Sequence, residues 1–213
     1  MLRWAIPRTG RVFWHTRGVN DGEDTAHHTD AEAAGAALGT VDHAVRDATD
    51  DDAAGIGAVY EYYVRESTAT FETDPPDVEF WRERMHSTQS EGWPFVVAEG
   101  PDGTILGWAY VGWWRPRPAY RYTVETSIYL LPGQAGKGLG SALLQRVLDG
   151  SRAAGAREAV AIISSGASPA SRKLHEKLGF HEIGRLTDVG YKHGQWLDTA
   201  IMQMHLGPGP EEP

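Results

Sequence analysis

Leu131-Pro-Gly-Gln-Ala-Gly-Lys-Gly-Leu-Gly-Ser-Ala-Leu-Leu144 is where a strand, a loop of bare backbone amides and an amphipathic helix meet. The residues before it, Thr123-Val-Glu-Thr-Ser-Ile-Tyr-Leu-Leu131, are rich in β-branched and aromatic types and read as a strand. After it, Leu139, Leu143, Leu144, Val147 and Leu148 repeat at the helical period. Gly136, Gly138 and Gly140 therefore fall at a helix N-terminus, where unpaired N–H groups and the positive end of the macrodipole favour a phosphate. Without side chains, an anion can approach the backbone closely.

Two familiar phosphate loops do not fit. A Walker loop needs Lys followed by Ser or Thr preceded by another glycine further back, but Lys137 is followed by Gly138 and Leu139. A dinucleotide fingerprint needs Gly-x-Gly-x-x-Gly early in a βαβ unit, and this loop has other spacing and comes late. An ordinary glycine-rich connection between strand and helix is the alternative that the loop alone leaves open.

The chain has 213 residues, 41% of them hydrophobic, enough for one domain with extensions. Its 20 basic and 29 acidic residues give a net charge of -9, which argues against nucleic acid or an anionic membrane as main partner. With no cysteine there is no disulfide, no thiolate metal site and no acyl-cysteine intermediate. No apolar run has the length of a signal core or a membrane span, so a cytoplasmic location is expected by default.

Residues 1 to 40 show no sustained period and read as a disordered extension. His27 and His28 within it read as solvated rather than as metal ligands, and no metal site is expected. Residues 41 to 206 form the expected domain and 207 to 213 a flexible tail.

Within the domain, Val41 to Arg46 alternates as a first strand and Thr49-Asp-Asp-Asp52 caps a helix with the face Ile56, Val59, Tyr60, Tyr63 and Val64. A second helix is predicted from Asp77, presenting Val78, Trp81 and Met85, with Phe80 off that line. Strands over 95–99 and 105–111 are joined by Gly100-Pro-Asp-Gly103, a hairpin signal. The prolines of residues 113 to 121 indicate an ordered surface loop. Glu158 to Ile163 reads as a strand buried on both faces, and Ser168-Pro-Ala-Ser171 caps a helix that carries Leu174 and Leu178 and stops at Gly179. Two final strands, near 181–189 and 195–206, turn around His193-Gly194. The predicted order is β-α-α-β-β-β-α-β-α-β-β, a mixed and strongly twisted α/β sheet of six to seven strands with about four helices.

Five blocks in this order carry a family resemblance: Ser67-Thr-Ala-Thr-Phe-Glu72, Tyr120 to Tyr129, Gly136-Lys-Gly-Leu-Gly-Ser141, Ser171 to Phe180, and Val189-Gly-Tyr-Lys-His-Gly-Gln-Trp-Leu-Asp198. Over about residues 43 to 206 the chain resembles the GNAT superfamily of acyl-CoA-dependent N-acetyltransferases, and within it the phosphinothricin and methionine sulfoximine acetyltransferase branch. The resemblance implies the GNAT fold and acetyl-CoA as donor. It further implies a cofactor site made of Ile128, Tyr129 and Leu130 on the strand, Gly136, Lys137, Gly138, Leu139, Gly140 and Ser141 in the loop, and Ser168 and Ser171 beyond. Two positions depart from the family pattern. Ala135 stands where Gln or Arg is usual, and Ser168 where this branch tends to have Asn, so weaker CoA affinity is expected.

Acetylating an ammonium requires something to accept its proton. Glu125 is the candidate, with Thr123, Ser127 and Tyr129 on its face of the strand; a structural pairing with Arg121 or Lys192 is the alternative. By the resemblance His175 stands where many members carry a proton-donating tyrosine; imidazole can act as acid or base near neutrality, or simply pack beside Leu174 and Leu178. Arg115 and Arg117 are placed to clamp an acidic group, unless they are merely solvated. The resemblance adds Phe71, Thr126 and Ser127 to the acceptor site. Lys192 and Trp196 belong to a block that comes without a mechanism.

The expected function is direct transfer of acetyl from acetyl-CoA to the α-amine of a small amino-acid analogue, with a small-molecule amine as partner and no nucleic acid or membrane. The alternatives are another amine (a protein N-terminus, an antibiotic or a polyamine) or a non-catalytic acyl-CoA-binding module. The resemblance to dimeric enzymes points towards a homodimer.

Overall fold

The computed structural model describes residues 43–167 and 169–210. The expectations for the first 40 residues, for Val41 and Asp42, for His27 and His28, for Ser168 and for the last three residues lie outside that range.

The elements are β1 (Ala44–Asp47), α1 (Ala53–Glu66), α2 (Val78–Ser90), β2 (Phe95–Glu99), β3 (Ile105–Trp113), β4 (Thr123–Leu130), α3 (Leu139–Ala153), β5 (Glu158–Ser164), α4 (Pro169–Lys177), β6 (His181–Lys192) and β7 (Gln195–His205). Among the described residues this is the predicted order, with seven strands and four α-helices. The strands form one sheet in the order β1-β2-β3-β4-β5-β7-β6. Of the neighbouring pairs described, β4 and β5 alone run parallel, as the α3 crossover between them requires.

Both faces of the sheet centre are covered, and β2 records this most simply. Val96 and Ala98 face α3, packing with Leu139, Leu143, Leu144, Val147 and Leu148. Phe95 and Val97 face α1 and α2, packing with Ile56, Val59, Trp81, Met85 and Trp108. A strand buried on both sides must be apolar at every position, which explains the unbroken Phe-Val-Val-Ala run. Thr49 and Asp52 make a capping box at the head of α1, and Asp52 also receives Arg46 at 2.7 Å. Asp77 accepts the Phe80 amide at 2.8 Å at the head of α2.

Four expectations need correction. In α2 the buried residues are Trp81, Met85 and Thr88, while Val78 in the first turn is exposed. Ile162 of β5 is also exposed, because α1 and α2 cover β2 to β4 and leave that face of β5 open. Among the described residues the first strand begins at Ala44 and runs one residue beyond the predicted Arg46, pairing with β2 through Asp47. β6 runs to Lys192 rather than stopping near 189; two register shifts against β7, with Asp188 at φ 52°, mask its alternation in sequence. His193 and Gly194, both at positive φ, make the predicted tight turn.

Candidate active site

The parallel pairing of β4 with β5 covers Thr123 to Thr126 against Glu158 to Ala161 and goes no further. Beyond it β4 continues to Leu130 on the β3 side and β5 continues to Ser164 on the β7 side. The sheet is thus forked. On the edge facing β5, Ile128 and Leu130, which alternate with the residues bonded to β3, lack a partner strand among the described residues; the Leu130 carbonyl accepts from the Tyr63 hydroxyl at 2.7 Å, and the other N–H and C=O groups of this edge are available to a ligand with amides of its own.

The fork opens a cavity of about 670 Å³. Residues from both faces of β4 line it, Ser127 and Tyr129 from one and Ile128 and Leu130 from the other, so it passes through the sheet. Glu125, Thr126, Ser141, Ser171, His175 and Phe71 also border it, together with Gly136, Gly138 and Gly140 of the loop. Gly136 and Gly138 hold φ of 80° and 84°, and nothing lies within 4 Å of where a Cβ would stand on either. A glycine loop that is both left-handed and uncrowded, at the N-terminus of the 15-residue α3, fits a phosphate-bearing ligand.

Four residues of the sequence reading fall elsewhere. Leu139 is buried in the core beneath α3. Lys137 leans on the Gln134 side chain at 3.1 Å. Arg115 and Arg117 line neither this cavity nor its neighbour. Arg115 stacks over Trp114 at 3.9 Å, and Arg117 precedes the 3-10 turn of Pro118 to Tyr120. Ser168 is outside the described residues. Ala135 and Ile162 also border the cavity, as do Lys173 and Lys177 of α4, whose positive charge on this cavity has no signal in the sequence.

Burial pushes the Glu125 carboxyl up from its ordinary value, and the nearby Arg115 charge opposes this. Of the two alternative partners, Lys192 is committed to the carbonyls of Thr70 and Tyr63 at 2.9 and 3.2 Å. Arg121 donates to the Pro118 carbonyl and lies over Tyr122. A carboxylate whose proton affinity is raised by desolvation at the edge of a cavity suits a general base.

His175 is 3% exposed, packs edge-on against Phe180, and has Nδ1 2.8 Å from the Ser171 carbonyl oxygen. A carbonyl can only accept, so Nδ1 carries the proton. Burial lowers the imidazole from its ordinary value, which leaves it neutral with an accepting Nε2. The unfolded chain takes up a proton below the ordinary value of 6.5 that the folded chain refuses, so stability is full above that pH and falls as pH drops through and below it. Replacing His175 by Gln should therefore flatten the decline of Tm on acidification below about pH 6.5. A melting series over that range checks it, and an unchanged slope contradicts the buried neutral state.

A smaller hollow of about 110 Å³ adjoins the cavity, sharing Ser127 and Tyr129 with it. Its walls include Tyr60, Trp81, Trp108 and Tyr110, with Glu72 and Arg84 as its charged groups. Cross-strand pairing explains the grouping: Trp108 lies opposite Tyr129 and Tyr110 opposite Ser127, all on the face that carries Glu125. Period-two alternation of Trp108 and Tyr110 was the available signal. Nothing in the sequence joined them to Glu72 and Arg84.

Among the described residues no group of three or more His, Cys, Asp or Glu could hold a metal ion, and no helix is long and apolar enough to cross a membrane.

Comparison with known proteins agrees with this geometry. Residues 56–180 match the acetyltransferase (GNAT) family. The chain is 41% identical over 165 residues to the phosphinothricin N-acetyltransferase of Alcaligenes faecalis, covering 78% of this chain and 83% of the relative. It is 40% identical over 169 residues to the L-methionine sulfoximine/L-methionine sulfone acetyltransferase of Pseudomonas aeruginosa, covering 79% and 98%. The crystal structure of a phosphinothricin acetyltransferase from Sinorhizobium meliloti in complex with AcCoA superposes with a TM-score of 0.76 at 41% identity, over 80% of this chain and 92% of that one. Forked sheet, glycine loop and sequence kinship together establish that the chain belongs to the GNAT family of acetyltransferases.

Proposed function

We propose that the protein transfers acetyl from acetyl-CoA to the α-amine of a small amino-acid analogue of the phosphinothricin or methionine sulfoximine kind. The observation that carries this reading is the cavity through the β4–β5 fork, with uncrowded glycines at a helix N-terminus on its border and Glu125 also on it. Relatives named for those two acceptors, and a solved relative holding acetyl-CoA, support it.

Bound there, acetyl-CoA supplies an activated thioester carbonyl. The residues divide the remaining work. The amides around Gly136 to Gly140 and the start of α3 bind phosphate charge, with Lys173 and Lys177 adding positive potential. The unpaired edge of β4 at Ile128 and Leu130 aligns an extended amide-bearing chain. Glu125 accepts a proton from the acceptor's ammonium and frees the attacking lone pair. As the C–N bond forms and the C–S bond breaks, the second amine proton is matched by protonation of the departing sulfur. His175, with its proton held by Ser171, serves as a hydrogen-bond acceptor and wall. The chain has no cysteine, which excludes an acyl-cysteine, and the reading adopted is direct passage of acetyl between the two substrates.

The smaller hollow is assigned to the acceptor side chain, with Arg84 as the cation for an acidic or sulfonyl head. Arg84 thus assumes the role that the sequence suggested for Arg115 and Arg117. Glu72 in the same hollow is what favours the rival reading, a cationic acceptor such as a polyamine. We further place the enzyme in the cytoplasm as a homodimer. Exposed Ile183, Leu186, Val189 and Tyr191 on the edge strand β6, with Trp196 beside them, support self-association.

A thiol-release assay over phosphinothricin, methionine sulfoximine, spermidine and a short peptide tests the substrate class. The first two should exceed the others in kcat/KM by about tenfold or more, equal to about 1.4 kcal/mol of transition-state discrimination. Faster turnover of spermidine or peptide assigns the enzyme to another amine.

A further inference from the structure

We infer that Lys192 is a positioning residue for the acceptor end of the site, tying the segment 67–72 to the β6–β7 hairpin. The inference rests on the acceptor being bound as proposed above, and it gives a role to the Val189 to Asp198 block.

Lys192 is a cation only 5% exposed at the last position of β6. A buried ammonium is costly unless its N–H groups find acceptors. Its Nζ donates to the backbone oxygens of Thr70 at 2.9 Å and Tyr63 at 3.2 Å. Tyr63 lies in the last turn of α1, where carbonyls lack helical partners and the macrodipole favours positive charge. One side chain thus ties the hairpin to the end of α1 and to the segment that follows it, both more than 120 residues earlier.

Packing fixes the same segment. Gly190, two residues before Lys192 and on the same face of β6, has the Phe71 ring where its own Cβ would stand. Gly166 makes the same kind of room for Thr68. The Tyr60 hydroxyl meets Thr70 Oγ1 at 2.6 Å. The segment so held borders both hollows, with Thr70 and Phe71 lining the large cavity and Glu72 lining the small one. The glycine loop is not among its partners. Loss of the Lys192 tie should therefore loosen the acceptor wall and spare the donor site.

Lys192→Met keeps the stem and removes the charge and donors. In hydrogen exchange the amides of residues 67–72 should exchange about tenfold faster or more, while α3 is unchanged. In steady-state assays the KM for phosphinothricin should rise about fivefold or more, with kcat and the KM for acetyl-CoA within about twofold. Lys192→Gln, which retains an N–H donor, should fall between; it also carries both readouts where the Met variant fails to fold. Unaltered exchange in 67–72 overturns the tie. Equal rises in both KM values, or a loss of kcat that follows thermal stability alone, overturn the positioning role in favour of a merely structural one. If the wild type acetylates no amino-acid analogue, the proposed function fails, and the exchange result still decides whether Lys192 holds the segment.

Discussion

Glu125→Gln should lower kcat by about 10²- to 10⁴-fold, the range for loss of a positioned general base, and leave CoA affinity within about twofold. The substitution is nearly isosteric, keeps β4 paired with β3 and β5, and removes only the ability to take a proton. Burial, the larger influence, raises the Glu125 carboxyl, and Arg115 pulls it back. The acid limb of the pH profile of kcat/KM should therefore move to higher pH when Arg115 is replaced by Gln. Near-wild-type kcat in the Glu125→Gln enzyme would transfer the role of base to water or to another group.

The second large effect falls on stability. Trp108→Ala should destabilise the protein by about 3–5 kcal/mol, as for truncation of a buried large aromatic, and lower Tm by roughly 6–20 °C for a chain of this size. Trp108 is 1% exposed and its indole N–H donates to the Ile56 carbonyl of α1 at 3.1 Å. Its ring lies 5.0 Å from Trp81 and 4.9 Å from Tyr129, joining α2, β3 and β4. The same ring walls the smaller hollow, so a weaker grip on the acceptor should accompany the stability loss. Thermal unfolding with kinetics on the surviving fraction checks both parts. A cost below about 1 kcal/mol would mean that the aromatic cluster collapses onto the vacancy with little penalty.

Signals that depend on near neighbours in the chain were readable from sequence. The face Ile56, Val59, Tyr60, Val64 of α1, the Gly100–Gly103 hairpin and the strand-glycine-helix unit at 131–144 each follow from local periodicity or turn chemistry. What depends on which elements meet in space was not. The fork between β4 and β5 has no local signal, since Ser127 to Leu130 remain a good strand on their other edge. Exposed Ile162 follows from the missing helix above it, and the full length of β6 was hidden by its bulges. The smaller hollow takes its walls from α1, α2, β3 and β4 and from the segment after α1. Lys192 read as one more cation in a family block; its burial depends on two carbonyls more than 120 residues earlier, at Tyr63 and Thr70.

The central claim is direct transfer between two substrates held together at the fork, with Glu125 as base. Initial velocities with acetyl-CoA and phosphinothricin varied together test it most directly, alongside the intact mass of the enzyme after exposure to acetyl-CoA alone. Intersecting lines and an unmodified mass are predicted for a ternary complex. Parallel lines with an added acetyl group on the protein would contradict it.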